Sequence, residues 1–163
     1  MYSHISVLLE ESIDGLRIEE GRKYIDATLG GGGHTSEILS RGGVVLGLDM
    51  DNESVLHNRD RFRSEVESKK LIIEKSNFKD IDTIAKEKGF ERVSGILFDL
   101  GVSSYQVDTA SRGFSYINPG PLDMRMDQDL ALNASDLVNE LIKDDIIKLF
   151  NKYGDEYRGK VIA

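Results

Sequence analysis

The run Asp26-Ala-Thr-Leu-Gly-Gly-Gly-Gly-His34 sets an acid just ahead of four consecutive glycines and a histidine. Glycines at a strand-to-helix turn reach dihedrals closed to other residues and let the backbone approach a ligand. Two phosphate-binding readings fail. A dinucleotide loop needs G-x-G-x-x-G, and counted from Gly30 or Gly31 its last position is Thr35 or Ser36. A phosphate loop ends in Gly-Lys-Ser/Thr, whereas this run ends in His34. Packed glycines behind an acid suit a cofactor without a pyrophosphate. The amino-acid end of S-adenosylmethionine offers an ammonium to a carboxylate such as Asp26 and a carboxylate to loop amides.

Asp49 stands 23 residues beyond Asp26, where an acid can accept both hydroxyls of an adenosine ribose. Either aspartate alone reads equally as a helix cap or turn residue. Their spacing around the glycine run favours the cofactor. Phe78 follows a third apolar run and can cover an adenine face, although an isolated phenylalanine is more often core. Asp99 ends a fourth run, at the carboxyl edge where ligands of α/β sheets bind. His34 lacks the companions of a three-ligand metal site, so no metal is expected. His4 and His57 read as surface residues.

The substrate side is expected between residues 99 and 127. Ser103, Ser104, Gln106, Arg112, Phe114, Tyr116, Asp123 and Arg125 fall within this stretch, with apolar Leu122, Met124 and Met126 among them. A plain surface loop would not carry those apolar side chains; one folded back into a cleft would. Arg112 and Arg125 can meet phosphates, and Phe114 or Tyr116 can stack on a base. The arginines can equally pair with Asp108 or Asp123 and hold the loop together. A serine hydrolase is rejected, because Gly-Val-Ser-Ser-Tyr105 lacks the Gly-x-Ser-x-Gly elbow and no histidine follows it.

The elements that must position these residues alternate. Strands are expected at Lys23–Thr28, Val44–Asp49, Leu71–Glu74 and Gly95–Leu100. Helices are expected at Ser6–Ile13, capped by Ser6, and at His34–Ser40, Asp51–Ser68 and Ile81–Lys88. This rhythm means βαβ units, a parallel sheet and right-handed crossovers. The near-continuous apolar second strand implies a sheet covered on both faces. Gly101–Gln128, with both prolines, has no clean period and reads as a functional loop. Helices resume at Asp136–Leu141, capped by Ser135, and at Asp144–Tyr153. The division expected is residues 1–108 and 109–163.

Composition narrows the class. The chain carries 21 basic and 29 acidic side chains, a formal charge of -8, which argues against a broadly basic nucleic-acid binder and leaves room for a local basic cleft. No apolar run approaches the ~20 residues of a membrane helix, so no membrane partner is expected. The absence of cysteine removes disulfides, thiol nucleophiles and thiolate metal sites, and permits a cytoplasmic location.

The same residues carry a family resemblance. His4–Glu11, Tyr24–Thr35, Asn77-Phe78, Gly95–Ser104, Arg112–Tyr116, Pro121–Asp127 and Tyr153–Glu156 closely resemble the N-terminal part of the bacterial ribosomal RNA small-subunit methyltransferase H (MraW-like) family. The strings Asp-Leu-Gly-Val-Ser-Ser104 and Pro-Leu-Asp-Met-Arg-Met126 are the most specific.

The resemblance implies a partial Rossmann-like class I methyltransferase fold with strand order 3-2-1-4, followed by the start of a helical insert domain facing RNA. It implies methylation of N4 of cytidine 1402 in 16S rRNA of the small ribosomal subunit. It places S-adenosylmethionine against Gly32, Gly33, His34, Asp49, Phe78, Asp99 and Gln106. One departure is Gly159, where the family has a continuous helix; glycine there costs about 1 kcal/mol relative to alanine.

The cytosine amine is a poor nucleophile, so the site must orient it and accept its hydrogen bond. Asp99 is placed by sequence near that amine or near the cofactor amine, with Ser103, Ser104 and Asp123 as further candidates for base-edge contacts. The chain reads as part of a longer protein, in which case the fourth strand becomes an edge and the chain self-associates. The alternatives are a cofactor-binding fragment without catalysis and a DNA amino-methyltransferase, although the usual Pro-Pro-aromatic sequence of the latter is absent after Asp99.

Overall fold

A computed structural model describes residues 6–163, so His4 lies outside the described residues. Four parallel strands form one sheet: β1 (Lys23–Asp26), β2 (Val44–Asp49), β3 (Leu71–Lys75) and β4 (Gly95–Leu97). Their order is β3-β2-β1-β4, as the resemblance implies, and their parallel pairing is what the alternating pattern implies. Asp26 aligns with Gly47 on one side and Leu97 on the other, and Asp49 with Lys75. The carboxyl ends of all four strands therefore lie along one edge.

Helix α1 (Leu9–Leu16) precedes β1, and between the strands run α2 (Gly33–Ser40), α3 (Asn52–Arg61), α4 (Arg63–Glu67) and α5 (Ile81–Glu87). The period of two along each strand builds two cores. Tyr24, Val45, Leu71 and Ile73 pack with Ile13, Ile38, Val55 and Phe62 on one face. Ile25, Leu46 and Leu48 pack with Ala85 and Phe90 on the other. Each fully buried aliphatic side chain contributes roughly 1.5–3 kcal/mol, which explains why β2 is apolar at nearly every position.

Several boundaries differ from the sequence reading, among them β1, which ends at Asp26 and not at Thr28, and four of them have a physical reason. Helix α1 starts at Leu9, and its cap is Leu8 in the left-handed region rather than Ser6. The Ser6 hydroxyl is packed instead against Gly33, where a Cβ would meet it. The helix expected over Asp51–Ser68 breaks at Phe62, whose φ of -107° and ψ of 35° leave the helix and whose ring is buried in the first core. Strand β4 stops at Leu97, because Thr28 Oγ1 accepts the Asp99 amide at 2.7 Å and Phe98 turns its ring onto Phe78. The cap near residue 135 is Asn133. Its side chain accepts from the Asp136 amide while Asp136 accepts from the Asn133 amide, both at 2.9 Å, so two otherwise orphaned donors are satisfied reciprocally.

The chain forms two compact units. The first comprises Met1–Tyr105 with Met126–Gln128, and the second Gln106–Arg125 with Asp129–Ala163. The 126–128 segment is tied into the first unit by Lys75 Nζ on Asp127 at 2.9 Å. α6 (Ser104–Asp108) lies across the boundary. The second unit holds α7 (Ala134–Glu140), α8 (Lys143–Tyr153) and α9 (Gly159–Ile162). The helix is interrupted between Tyr153 and Gly159, in keeping with the low helix propensity of the Gly154 and Gly159 sites. Among the described residues, no helix is long and apolar enough to cross a membrane.

Candidate functional site

The turn after β1 is built by glycine. Gly30 (φ +49°) and Gly32 (φ +76°) both sit in the left-handed region, which L side chains rarely adopt. The Gly32 amide donates to Leu29 O at 2.8 Å and closes the turn, after which α2 begins at Gly33. Gly32 also has no room for a side chain. A Cβ there would lie 2.1 Å from Asn58 Oδ1 and 2.7 Å from the Phe62 ring.

Asp26 ends β1 and is buried, with Oδ2 accepting from Thr35 Oγ1 at 2.7 Å and Oδ1 from the Thr28 amide at 3.2 Å. Burial pushes its carboxyl above the usual carboxylate range, against the lowering effect of those two bonds. Because the folded pKa is raised, its stabilising contribution is present at acid pH and lost as pH rises through the folded value. At neutral pH an ionised Asp26 therefore costs stability. Asp26→Asn removes the charge, keeps Oδ1 as acceptor for the Thr28 amide, and lets Nδ2 donate to Thr35 Oγ1 once that hydroxyl turns. It is expected to stabilise the fold at pH 8 by about 1 kcal/mol, a common size for a single stabilising change, with the gain vanishing near pH 4. Thermal unfolding at the two pH values checks this; destabilisation at pH 8 would contradict it.

Asp49 ends β2 and joins the glycine turn directly. Its Oδ2 accepts from the Gly30 amide at 2.8 Å and lies 2.7 Å from Ser54 Oγ, while Oδ1 accepts from the Asp51 amide at 2.9 Å. Burial raises this carboxyl too, again opposed by hydrogen bonds. Oδ1 keeps acceptor capacity, since each carboxylate oxygen takes two donors.

His34 lies in the first turn of α2, buried at 5% exposure, and its Nε2 finds no hydrogen-bond partner among the described residues. A buried polar atom without a partner is uncommon and calls for an explanation. Phe78 opens a 3-10 turn after β3, capped by Asn77. It is 40% exposed, and its ring stands edge-on to Phe98 with centroids 5.7 Å apart. Asp99 is exposed at the end of β4, held through its backbone by Thr28. The first unit thus places Asp26, Gly32, Gly33, His34 and Asp49 at the ends of β1 and β2 and the turn into α2, with Phe78 and Asp99 just beyond the ends of β3 and β4.

The remaining candidates divide by unit. Ser103 and Ser104 are partly buried in the first, and Gln106 is buried at the start of the second. Within the second unit, Arg125 grips Asp123 with two parallel bonds, Nε to Oδ1 at 2.9 Å and Nη2 to Oδ2 at 2.7 Å. It also donates from Nη1 to Leu130 O at 2.6 Å. This bidentate pair holds the Asp123 carboxyl below the usual range. Arg112 is 1% exposed and donates from Nη2 to Arg125 O at 3.1 Å. Both guanidinium groups are turned into the loop, the bracing role that the sequence left open beside phosphate contact. Phe114 is half-buried, whereas Tyr116 is 96% exposed.

Four residues that reach the cluster were not read from sequence. Thr28 fixes Asp99, and Ser54, Asn58 and Arg61 of α3 reach the glycine turn. The available signal was the 4- and 3-residue spacing of 54, 58 and 61, which puts them on one helix face. The surrounding run of charges hid it.

Two solved structures are similar to this chain over part of its length. One is a protein described as an rRNA-methylase from Clostridium thermocellum, 21% identical over 62% of this chain and 55% of its own, with a TM-score of 0.49. The other is the C-terminal domain of precorrin-6Y C5,15-methyltransferase from Rhodobacter capsulatus, 13% identical over 66% and 55%, also at 0.49. The chain spans about half the length of each. The sequence pattern of the MraW methylase family, by contrast, runs from residue 1 to residue 163, and the chain belongs to that family.

Proposed function

We propose that this chain supplies the S-adenosylmethionine-binding part of a methyltransferase acting on N4 of cytidine 1402 in 16S rRNA. The observation that carries the reading is the bond between the Asp49 carboxylate and the Gly30 amide. It locks a ribose-accepting acid to a glycine turn at adjacent strand ends. His34 Nε2, buried and unpartnered beside that turn, is the group left for a ligand to satisfy.

In this reading Asp49 accepts the ribose hydroxyls, Phe78 covers the adenine, and Gly32, Gly33 and His34 hold the amino-acid end, with Asp26 behind them; the family resemblance adds Gln106 to the cofactor contacts. The cofactor supplies a sulfonium methyl for in-line displacement, which needs neither a metal nor a covalent enzyme intermediate. Asp99 orients an amine, of the substrate or of the cofactor, by accepting its hydrogen bond. Ser103, Ser104 and Asp123 are the further base-edge candidates. Phe114 and Tyr116 stack on the substrate base, and Arg112 and Arg125 act on the substrate side by bracing the loop that presents them. The helices of the second unit begin the insert that meets RNA, in the small ribosomal subunit and in the cytoplasm.

Transfer of labelled methyl from S-adenosylmethionine to small ribosomal subunits, naked 16S rRNA and DNA tests the reading in the full-length parent. Labelling of the subunit or the RNA at the cytosine amine is expected. Preference for DNA would overturn it.

The 163-residue chain alone is expected to self-associate and to transfer methyl weakly. Strand β4 is an edge of the sheet, and Ile96, Phe98 and Leu100 are 43%, 46% and 70% exposed. Open backbone groups beside apolar side chains invite a second copy. Light scattering checks this, and a monodisperse monomer with full turnover would contradict it.

A further inference from the structure

We infer that Ser54, Asn58 and Arg61 form a positioning ladder on α3 that fixes the glycine turn in its cofactor-receiving form, an inference that rests on the cofactor reading above. The Gly30 carbonyl accepts from Asn58 Nδ2 at 2.7 Å and lies 2.7 Å from Ser54 Oγ. The Gly31 carbonyl accepts from Arg61 Nη1 at 2.6 Å. Two consecutive carbonyls are thereby turned toward one helix.

The peptide plane makes this consequential. In a trans peptide the carbonyl of one residue and the amide of the next point in opposite directions. Anchoring the Gly30 carbonyl on α3 aims the Gly31 N–H away from α3. A turn of glycines has no side chains to choose between such orientations, so a plane held by no other bond could flip at little cost; the Gly31–Gly32 plane is also held by the Gly32 amide on Leu29 O. The ladder makes that choice.

The three rungs are unequal. Ser54 has one hydroxyl proton and two acceptors at 2.7 Å, Gly30 O and Asp49 Oδ2, so it serves only one at a time. Asn58 is fully buried, and its amide donates both to Gly30 O and to Ser54 O, the latter at 2.9 Å. It therefore holds the Gly30 carbonyl whichever way the Ser54 proton turns. Its Oδ1 lies against Gly32, so the same side chain also enforces glycine there. Arg61 works from an exposed position, with its guanidinium 4.7 Å over the Phe62 ring. These are positioning residues that act through the turn.

The test compares wild type, Asn58→Ala, Arg61→Met and Arg61→Lys in two measurements. Amide exchange at Gly30 and Gly32 is read in the protein without cofactor. Affinity is read for S-adenosylmethionine and for 5′-methylthioadenosine, which lacks the amino-acid end. Asn58→Ala is expected to speed exchange at the turn relative to β2, and to weaken S-adenosylmethionine by about tenfold, the size of a lost buried hydrogen bond. The methylthioadenosine affinity should move less than about twofold, since that ligand does not reach the turn amides.

Arg61→Met should give a smaller effect of the same kind, restored by Arg61→Lys. A general structural defect would weaken both ligands alike. Equal losses for the two ligands, or unchanged turn exchange in both Asn58→Ala and Arg61→Met, would overturn the inference. If Asn58→Ala does not fold, the Arg61 pair decides. Should wild type bind neither ligand, the cofactor reading fails, while exchange at the turn still decides whether α3 orders it.

Discussion

Replacing Gly32 by alanine is expected to lower cofactor affinity by about a hundredfold and to destabilise the fold by about 2 kcal/mol, the scale of a strained non-glycine residue. Two costs act together. The backbone at φ +76° is unfavourable for an L residue, and the new Cβ would fall 2.1 Å from Asn58 Oδ1 and 2.7 Å from Phe62 Cε2. Neither neighbour can withdraw cheaply, since Asn58 is fully buried and Phe62 is 7% exposed in the first core. The turn must move, and the Gly30 amide bonded to Asp49 moves with it. Thermal unfolding and cofactor titration of Gly32→Ala check this; wild-type values in both would contradict the geometry.

Gly113→Val is expected to be the most damaging change in the second unit, at about 3 kcal/mol. Gly113 has φ +74°, and its Cβ would lie 2.2 Å from Pro121 O and 2.7 Å from the Asp123 amide. Both are backbone atoms, so no rotamer change relieves the contact. The same place carries the loop's internal order. The Met124 amide donates to Arg112 O at 3.0 Å, and the Ala134 and Ser135 amides donate to Asp123 O and Leu122 O, each at 2.8 Å. Forcing the strands of this loop apart dismantles the Arg125–Asp123 brace and the approach to α7. Under the proposed function, substrate methylation should fall at least tenfold, because substrate-positioning groups are misplaced. Cofactor affinity should change by less than about threefold, because most of the proposed cofactor contacts belong to the first unit. Loss of cofactor binding, or unchanged methylation, would contradict this division.

The sheet was legible in the sequence because its signals are local. Val44–Leu48 carries no polar side chain, glycines mark the turn before α2, and charged helices separate the apolar runs. What failed was set by contacts across the fold. Nothing in Ser-Asn-Phe-Lys79 or Leu-Phe-Asp99 announces that two phenylalanines meet and that Thr28 captures the Asp99 amide, so β4 was read three residues too long. Phe62 looked like one more apolar position of a single helix until the space beneath Gly32 claimed its ring. The cap at Asn133 was displaced to Ser135 because both residue types cap well; the reciprocal partner Asp136 distinguishes them. Within the site, the acids and glycines were legible by type, whereas Ser54, Asn58 and Arg61 were not, because a helix face reveals its direction only once the helix is packed.

The claim at the centre of this account is that the Asp49–glycine turn receives S-adenosylmethionine, and calorimetric titration of wild type against Asp49→Ala, with unfolding curves for both, tests it most directly. The account predicts saturable binding at one site per chain, weakened at least about tenfold by the substitution in a protein that still unfolds cooperatively. No measurable binding in the wild type, or equal affinities in the two proteins, would contradict it.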